Sequence, residues 1–151
     1  MRSAPGRVLG VDYGEKRIGL ALSDSLRMVA TPLETVDGSQ PKVAFRRLRD
    51  LIAEHDVKEV VVGLPLHMDG GRGELVTAAE AFAAKLRAQV PGLPVHLWDE
   101  RLSTAEAERA MRSGAAKAAR RKELRDQLAA QLILQSWLDT HAEPSADPWE
   151  T

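Results

Sequence analysis

The sequence predicts an α/β domain built on a mixed five-stranded sheet with helices on both faces. Three observations predict it. Residues 8–24, VLGVDYGEKRIGLALSD, read as a hairpin of two apolar arms joined by turn residues around Gly14. Residues 58–65, KEVVVGLP, form a short, wholly apolar run of the kind found in buried parallel pairing. From residue 40 onward, stretches of helical period alternate with such runs. The predicted order is β-β-β-α-β-α-β-α-α, three antiparallel strands followed by strands alternating with helices.

Each element has its own reason. Residues 7–12 and 17–23 are the hairpin strands. In the second, Ile18, Leu20 and Leu22 share one face, while Gly19, Ala21 and Ser23 share the other and leave room beside it. Residues 28–36 are extended but contain Pro32, which places them at a sheet edge. Val43, Leu48, Leu51 and Ile52 recur at helical spacing within 40–55. After strand 58–65, residues 66–73 (LHMDGGRG) are a loop and 74–88 an alanine-rich helix. Pro91-Gly92 introduces a strand over 93–100, and the capping-box spacing Ser103-x-x-Glu106 opens a further helix. A basic linker around Gly114 leads to the last helix, 119–139, and 140–151 is a polar, proline-containing tail.

With 151 residues, the chain fits a single domain over 1–151 with its core in 7–139. No apolar run approaches the roughly 18 residues of a membrane span. Pro5, Gly6 and Arg7 interrupt what a secretory leader would need, so a cytoplasmic, membrane-free protein is expected. The absence of cysteine excludes disulfides and thiolate metal sites and leaves carboxylate or imidazole ligands. The 22 acidic and 21 basic residues nearly cancel, so any polyanion site must be local. One basic cluster exists, from Arg112 to Arg125, where Lys and Arg outnumber Glu123 by six to one.

Two acids stand where acids are costly. Asp12 ends the first strand, in the interior, and an unpartnered buried ion costs several kcal/mol or more. Asp126 falls on the stripe of Ala129, Ala130, Ile133 and Trp137 when the last helix is wound at about 100° per residue. A third acid ends the strand over 93–100, where the strand pattern leaves Asp99 and Glu100 equally open. Ligand sites in such sheets lie beyond the carboxyl ends of parallel strands. Three carboxylates cannot crowd together as free anions, because each raises the pKa of the others. A hard divalent cation, Mg²⁺ or Mn²⁺, resolves the conflict, and such a cluster suits phosphodiester hydrolysis.

These residues carry a resemblance. The segments VDYGEKRIGLALSD, VVGLPLHMDG, VHLWDERLSTAEA and ELRDQLAAQLILQSWLD, in this order, resemble the YqgF family across residues 7–139. Members are named as candidate Holliday-junction resolvases or candidate pre-16S rRNA nucleases. The resemblance implies a ribonuclease H-like fold, with metal-binding and catalytic acids at Asp12, Glu100 and Asp126. It is this resemblance that selects Glu100 over Asp99. One departure is visible: the family's loop after Gly-Leu-Pro-Leu usually carries Asn, and this chain has His67.

Competing readings attach to each feature. A strand-end Asp followed by Gly also opens sugar kinases and actin-like ATPases, but those need two such domains. Glu100 could pair with Arg101, and Asp126 with Lys122 one turn back. Arg17 and Arg101 are candidate phosphate contacts, and Arg120, Arg121 and Lys122 precede Asp126 closely enough to track a nucleic-acid backbone. The four histidines show no metal spacing, and nothing supports a Ser-His-Asp triad. The expectation is a Mg²⁺- or Mn²⁺-dependent endonuclease acting on structured RNA or branched DNA, as a monomer or homodimer. Its expected role is processing the 5′ end of pre-16S rRNA. The alternatives are Holliday-junction resolution, a nucleic-acid-binding module without efficient catalysis, and a single-domain ATP-binding protein.

Overall fold

The computed structural model describes residues 5–64, 72–99 and 118–141. Strands β1 (Arg7–Asp12), β2 (Arg17–Ser23) and β3 (Ala30–Asp37) are followed by helix α1 (Pro41–Glu54) and β4 (Val57–Leu64). Helix α2 (Arg72–Gln89), strand β5 (Val95–Asp99) and helix α3 (Ala118–Thr140) complete the described elements. The sheet order is β3-β2-β1-β4-β5. The β1–β2 and β2–β3 pairs are antiparallel, and β1–β4 and β4–β5 are parallel. The mixed sheet is therefore as the sequence implies, with β3 and its Pro32 at the edge. The expected helix from Ser103, the linker at Gly114, the loop at 66–71 and residues 142–151 lie outside the described residues.

Alternation along the strands splits the interior in two. Leu9, Val11, Leu20, Val60 and Val62 face α1 and α2, where they meet Leu48, Leu51, Phe82 and Leu86. Phe82 packs on both Phe45 and Tyr13, with ring centroids 5.3 and 4.8 Å apart. Val8, Ala21 and Val61 face the other way, against Ala130, Ile133, Leu134, Trp137 and Leu138 of α3. Helix α1 differs from expectation in one detail. Its buried side is Ala44, Phe45, Leu48 and Leu51, whereas Val43 is exposed.

Strand β3 starts at Ala30, two residues later than the sequence predicts, because a side chain captures the amides before it. The Asp24 carboxylate accepts from the backbone N–H of Leu26, Met28 and Val29 at 2.8–3.1 Å. These bonds hold the Asp24 carboxyl below the usual range, against a smaller opposing push from its surroundings than they supply together. Inside that loop Arg27 adopts a left-handed φ of 62°. Its guanidinium donates to the carbonyl of Gly6 (2.7 Å) and to Glu59, which also takes His96 Nε2 at 2.6 Å. Burial pushes Glu59 upward, but its bonds to His96 and Arg27 prevail and lower its pKa.

The edge strand is buttoned down by glutamines. Gln127, Gln131 and Gln135 recur every fourth residue of α3 and so share one side of it. Gln127 donates to Thr35 Oγ1 (3.1 Å) and Gln131 to the Ala30 carbonyl (2.9 Å). Gln135 accepts from the Ala30 amide (2.9 Å) and donates to the Met28 carbonyl (3.1 Å).

Candidate active site

Helix α3 crosses the sheet over glycine. A Cβ at Gly10 would come within 2.7 Å of Leu134 Cβ, and one at Gly63 within 2.6 Å of Ile133 Cδ1. At Gly19 it would fall 2.1 Å from the Asp126 carbonyl oxygen. The small-residue face of β2 is thus filled by the backbone of the last helix. Asp12 is in register with Gly19 on one side and Gly63 on the other. By strand alternation Asp12 shares the α3 face with Gly10, two residues before it.

The two anomalous acids therefore meet at this end of the sheet. Asp12 has a pKa pushed up to about 7, first by burial and then by the negative charge of Asp126. Asp126 is largely covered, its side chain 16% exposed, and accepts a 2.8 Å bond from Arg17 Nε. That partner is 109 residues away in sequence and reaches Asp126 from β2, two residues from Gly19 on the same face. Sequence reasoning weighed Lys122 as the partner of Asp126 and missed this pair. The signal available was the Arg17-x-Gly19 spacing: an arginine beside a residue small enough to admit the helix. Ala129 lies at the half-buried margin of the α3 stripe, whose centre is Ala130 and Leu134.

The remaining candidates divide as follows. Asp99 ends β5 in register with Leu64, one step beyond the Asp12–Gly63–Trp98 row, so β5 finishes at the same end of the sheet. Glu100, next in sequence, lies outside the described residues, as do Arg101 and His67. Arg120, Arg121 and Lys122 fall in the opening of α3, with their side chains outside what is described. Among the described residues no group of three His, Asp or Glu side chains gathers to hold a metal. Asp12 and Asp126 alone make an incomplete donor set, but its chemistry fits a hard cation. Two oxygen-bearing acids repel one another, one is strongly desolvated, and a guanidinium already neutralises the other. His96 and His141 take no part: His96 bonds Glu59 and stacks on Trp137, and His141 stacks on the same ring 4.3 Å away. Among the described residues no helix is long and apolar enough to cross a membrane.

Sheet order 3-2-1-4-5, a strand-end acid on β1 and an acid on the closing helix define a ribonuclease H-like domain. Solved structures share this fold. They include Thermus thermophilus RuvC in complex with a Holliday junction substrate, at TM-score 0.55 and 20% identity over 89% of this chain and 97% of that one. Fowlpox virus resolvase with Holliday junction DNA matches at TM-score 0.53 and 10% identity, over 91% and 99%. The chain belongs to the RuvX family, described as Holliday junction resolvase, which matches residues 6–140. Relatives named as candidate pre-16S rRNA nucleases include one from Myxococcus xanthus, 46% identical over 93% of each chain. Others come from Roseiflexus sp. at 43% identity, covering 93% of this chain and 99% of that one, and Listeria monocytogenes at 42%, covering 89% and 98%.

Proposed function

We propose that this chain is a metal-dependent endonuclease in which Asp12, Glu100 and Asp126 hold one or two Mg²⁺ or Mn²⁺ ions and cut phosphodiester bonds. The observation that carries the reading is the Asp12–Asp126 pair. Two acids distant in sequence are brought together where α3 meets the sheet, at a cost that a divalent cation would remove. Glu100 is proposed as the third ligand on the resemblance to the YqgF family; β5, which presents His96 and Trp98 to the α3 side, ends at Asp99, the residue before it. A divalent cation so held supplies Lewis-acid activation of water and neutralises charge at the phosphoryl group. The chain's own part is to fix the acids on sheet and helix and to contact the nucleic-acid backbone. Arg17, Arg101, Arg120, Arg121 and Lys122 are the residues proposed for those contacts.

The substrate proposed is structured RNA, at the 5′ end of pre-16S rRNA, in line with the names carried by relatives at 42–46% identity. Four-way DNA junctions are the second reading, favoured by the family description and by the junction-bound neighbours. One assay separates them: a precursor rRNA fragment and a four-way junction, each titrated with Mg²⁺ and Mn²⁺, with solution mass measured in parallel. Metal-dependent cleavage of the RNA by a monomer, lost in Asp12→Asn, Glu100→Gln and Asp126→Asn, is the expected result. Paired cuts in the junction by a homodimer would establish the second reading. Tight binding without cleavage of either would make the chain a binding module.

A further inference from the structure

We propose that Arg17 is an exchangeable counter-ion of this site: it occupies Asp126 in the metal-free protein and passes to a nucleic-acid phosphate when a divalent cation takes that carboxylate. The inference rests on the reading of Asp12 and Asp126 as metal ligands.

The geometry of the ion pair is that of a half-committed arginine. Elsewhere in the molecule Arg47 grips Glu34 with two bonds, Nε to Oε2 and Nη2 to Oε1, both 2.7 Å. Arg17 touches Asp126 through Nε alone, and among the described residues its two terminal nitrogens have no partner. Its side chain is 42% exposed, whereas Asp126 is 16% exposed. A guanidinium is built to bind an oxyanion through two parallel bonds, and among the described residues nothing takes that edge of Arg17. Its backbone is fixed at the same time. The Arg17 carbonyl lies against Gly14, where a Cβ would sit 2.5 Å from it, and Arg17 is in register with Asp37 of β3. Motion is therefore confined to the side chain.

Charge arithmetic supplies the direction of exchange. Two carboxylates and one guanidinium leave the metal-free cluster one negative charge in excess when both acids are ionised. A divalent cation bound to the Asp126 carboxylate competes for the oxygen that Arg17 Nε occupies and sets a like charge beside the guanidinium. Arg17 is then released from Asp126, and a phosphate of the substrate is the anion that the site delivers. The arginine holds the helix acid against the sheet before metal arrives and holds the substrate afterwards.

The test needs no turnover. Mn²⁺ binding to the metal-free protein is followed by calorimetry for wild type, Arg17→Gln, Arg17→Lys and Asp126→Asn. Arg17→Gln is expected to bind Mn²⁺ several-fold more tightly than wild type, because a competing cation is gone, with Arg17→Lys near wild type. Unfolding midpoints should show Arg17→Gln less stable than wild type in chelator and equal to it at saturating Mn²⁺. Affinity for a structured RNA in the presence of Ca²⁺ should fall in Arg17→Gln, with a log–log salt slope shallower by about one unit. Equal or weaker Mn²⁺ binding by Arg17→Gln would overturn the exchange while leaving the metal site intact, provided that Asp126→Asn loses the ion. Wild type that binds no Mn²⁺ would instead overturn the reading of the site itself.

Discussion

Gly19 and Asp126 are in contact through backbone: the space where a side chain would begin at 19 is taken by the carbonyl oxygen of 126, at 2.1 Å. Carbonyl oxygens of a helix cannot rotate away as a side chain can. Gly19→Ala must therefore lift α3 from β2. It is expected to destabilise the protein by about 3 kcal/mol or more in urea unfolding, with loss of the Arg17–Asp126 pair. Gly92→Ala serves as a control of a different kind: nothing lies within 4 Å of that position, but its φ of 88° makes the cost conformational.

Asp12 makes stability fall with rising pH. Its folded-state pKa, about 7, lies above that of the unfolded chain, so the folded state keeps a proton that the unfolded state has released. Below the ordinary carboxylate range both states hold it and there is no effect. Between that range and about pH 7 stability declines, and above it the penalty is complete. Asp12→Asn should remove the slope and be more stable than wild type by a few kcal/mol at about pH 8, and close to it at about pH 4. Adding Mn²⁺ at the higher pH should restore wild type selectively.

Glu59 acts in the opposite sense. Its pKa is lowered, so its bonds to Arg27 and His96 stabilise the protein above the unfolded carboxylate range and lose that effect as pH falls through the folded value. Glu59→Gln is expected to cost about 1–3 kcal/mol at neutral pH, with the difference from wild type closing in acid. Denaturant titrations across pH check this. Since Glu59 pairs with Val8, at the opposite end of β1 from Asp12, metal affinity should not change.

The glutamine series makes a local prediction. Gln135 is the acceptor for the Ala30 amide, so Gln135→Ala should raise hydrogen exchange at Ala30 and cost about 1 kcal/mol. Exchange at Leu20, in the middle of the sheet, should stay slow.

The strands and helices were legible because burial on both faces leaves its mark on composition. Val60, Val61 and Val62 are fully buried and pair in parallel with both neighbours, as an unbroken apolar run requires. Asp12 and Asp126 were legible as misfits, each an acid where the period demands an apolar residue. Lateral position was not legible. A sequence period fixes which face a residue takes, but not which residue of a distant strand stands opposite. Arg17 opposite Asp126, and the three glutamines opposite β3, depend on the depth to which α3 sinks over Gly10, Gly19 and Gly63. Val43 was misread for a related reason: α1 meets the sheet through Ala44 and Phe45, and the apolar period alone admits its neighbour equally.

The closing position of α3 has a consequence for timing. During synthesis, the five described strands have all been made once Asp99 has been added, whereas the segment that covers their glycine-lined face follows later and ends at Thr140. A nascent chain halted in between carries Asp12 without its counterpart and an open trough where the helix belongs. The two acids come together only once that helix has been made, so a half-made copy still tethered to the translating machine lacks the pair.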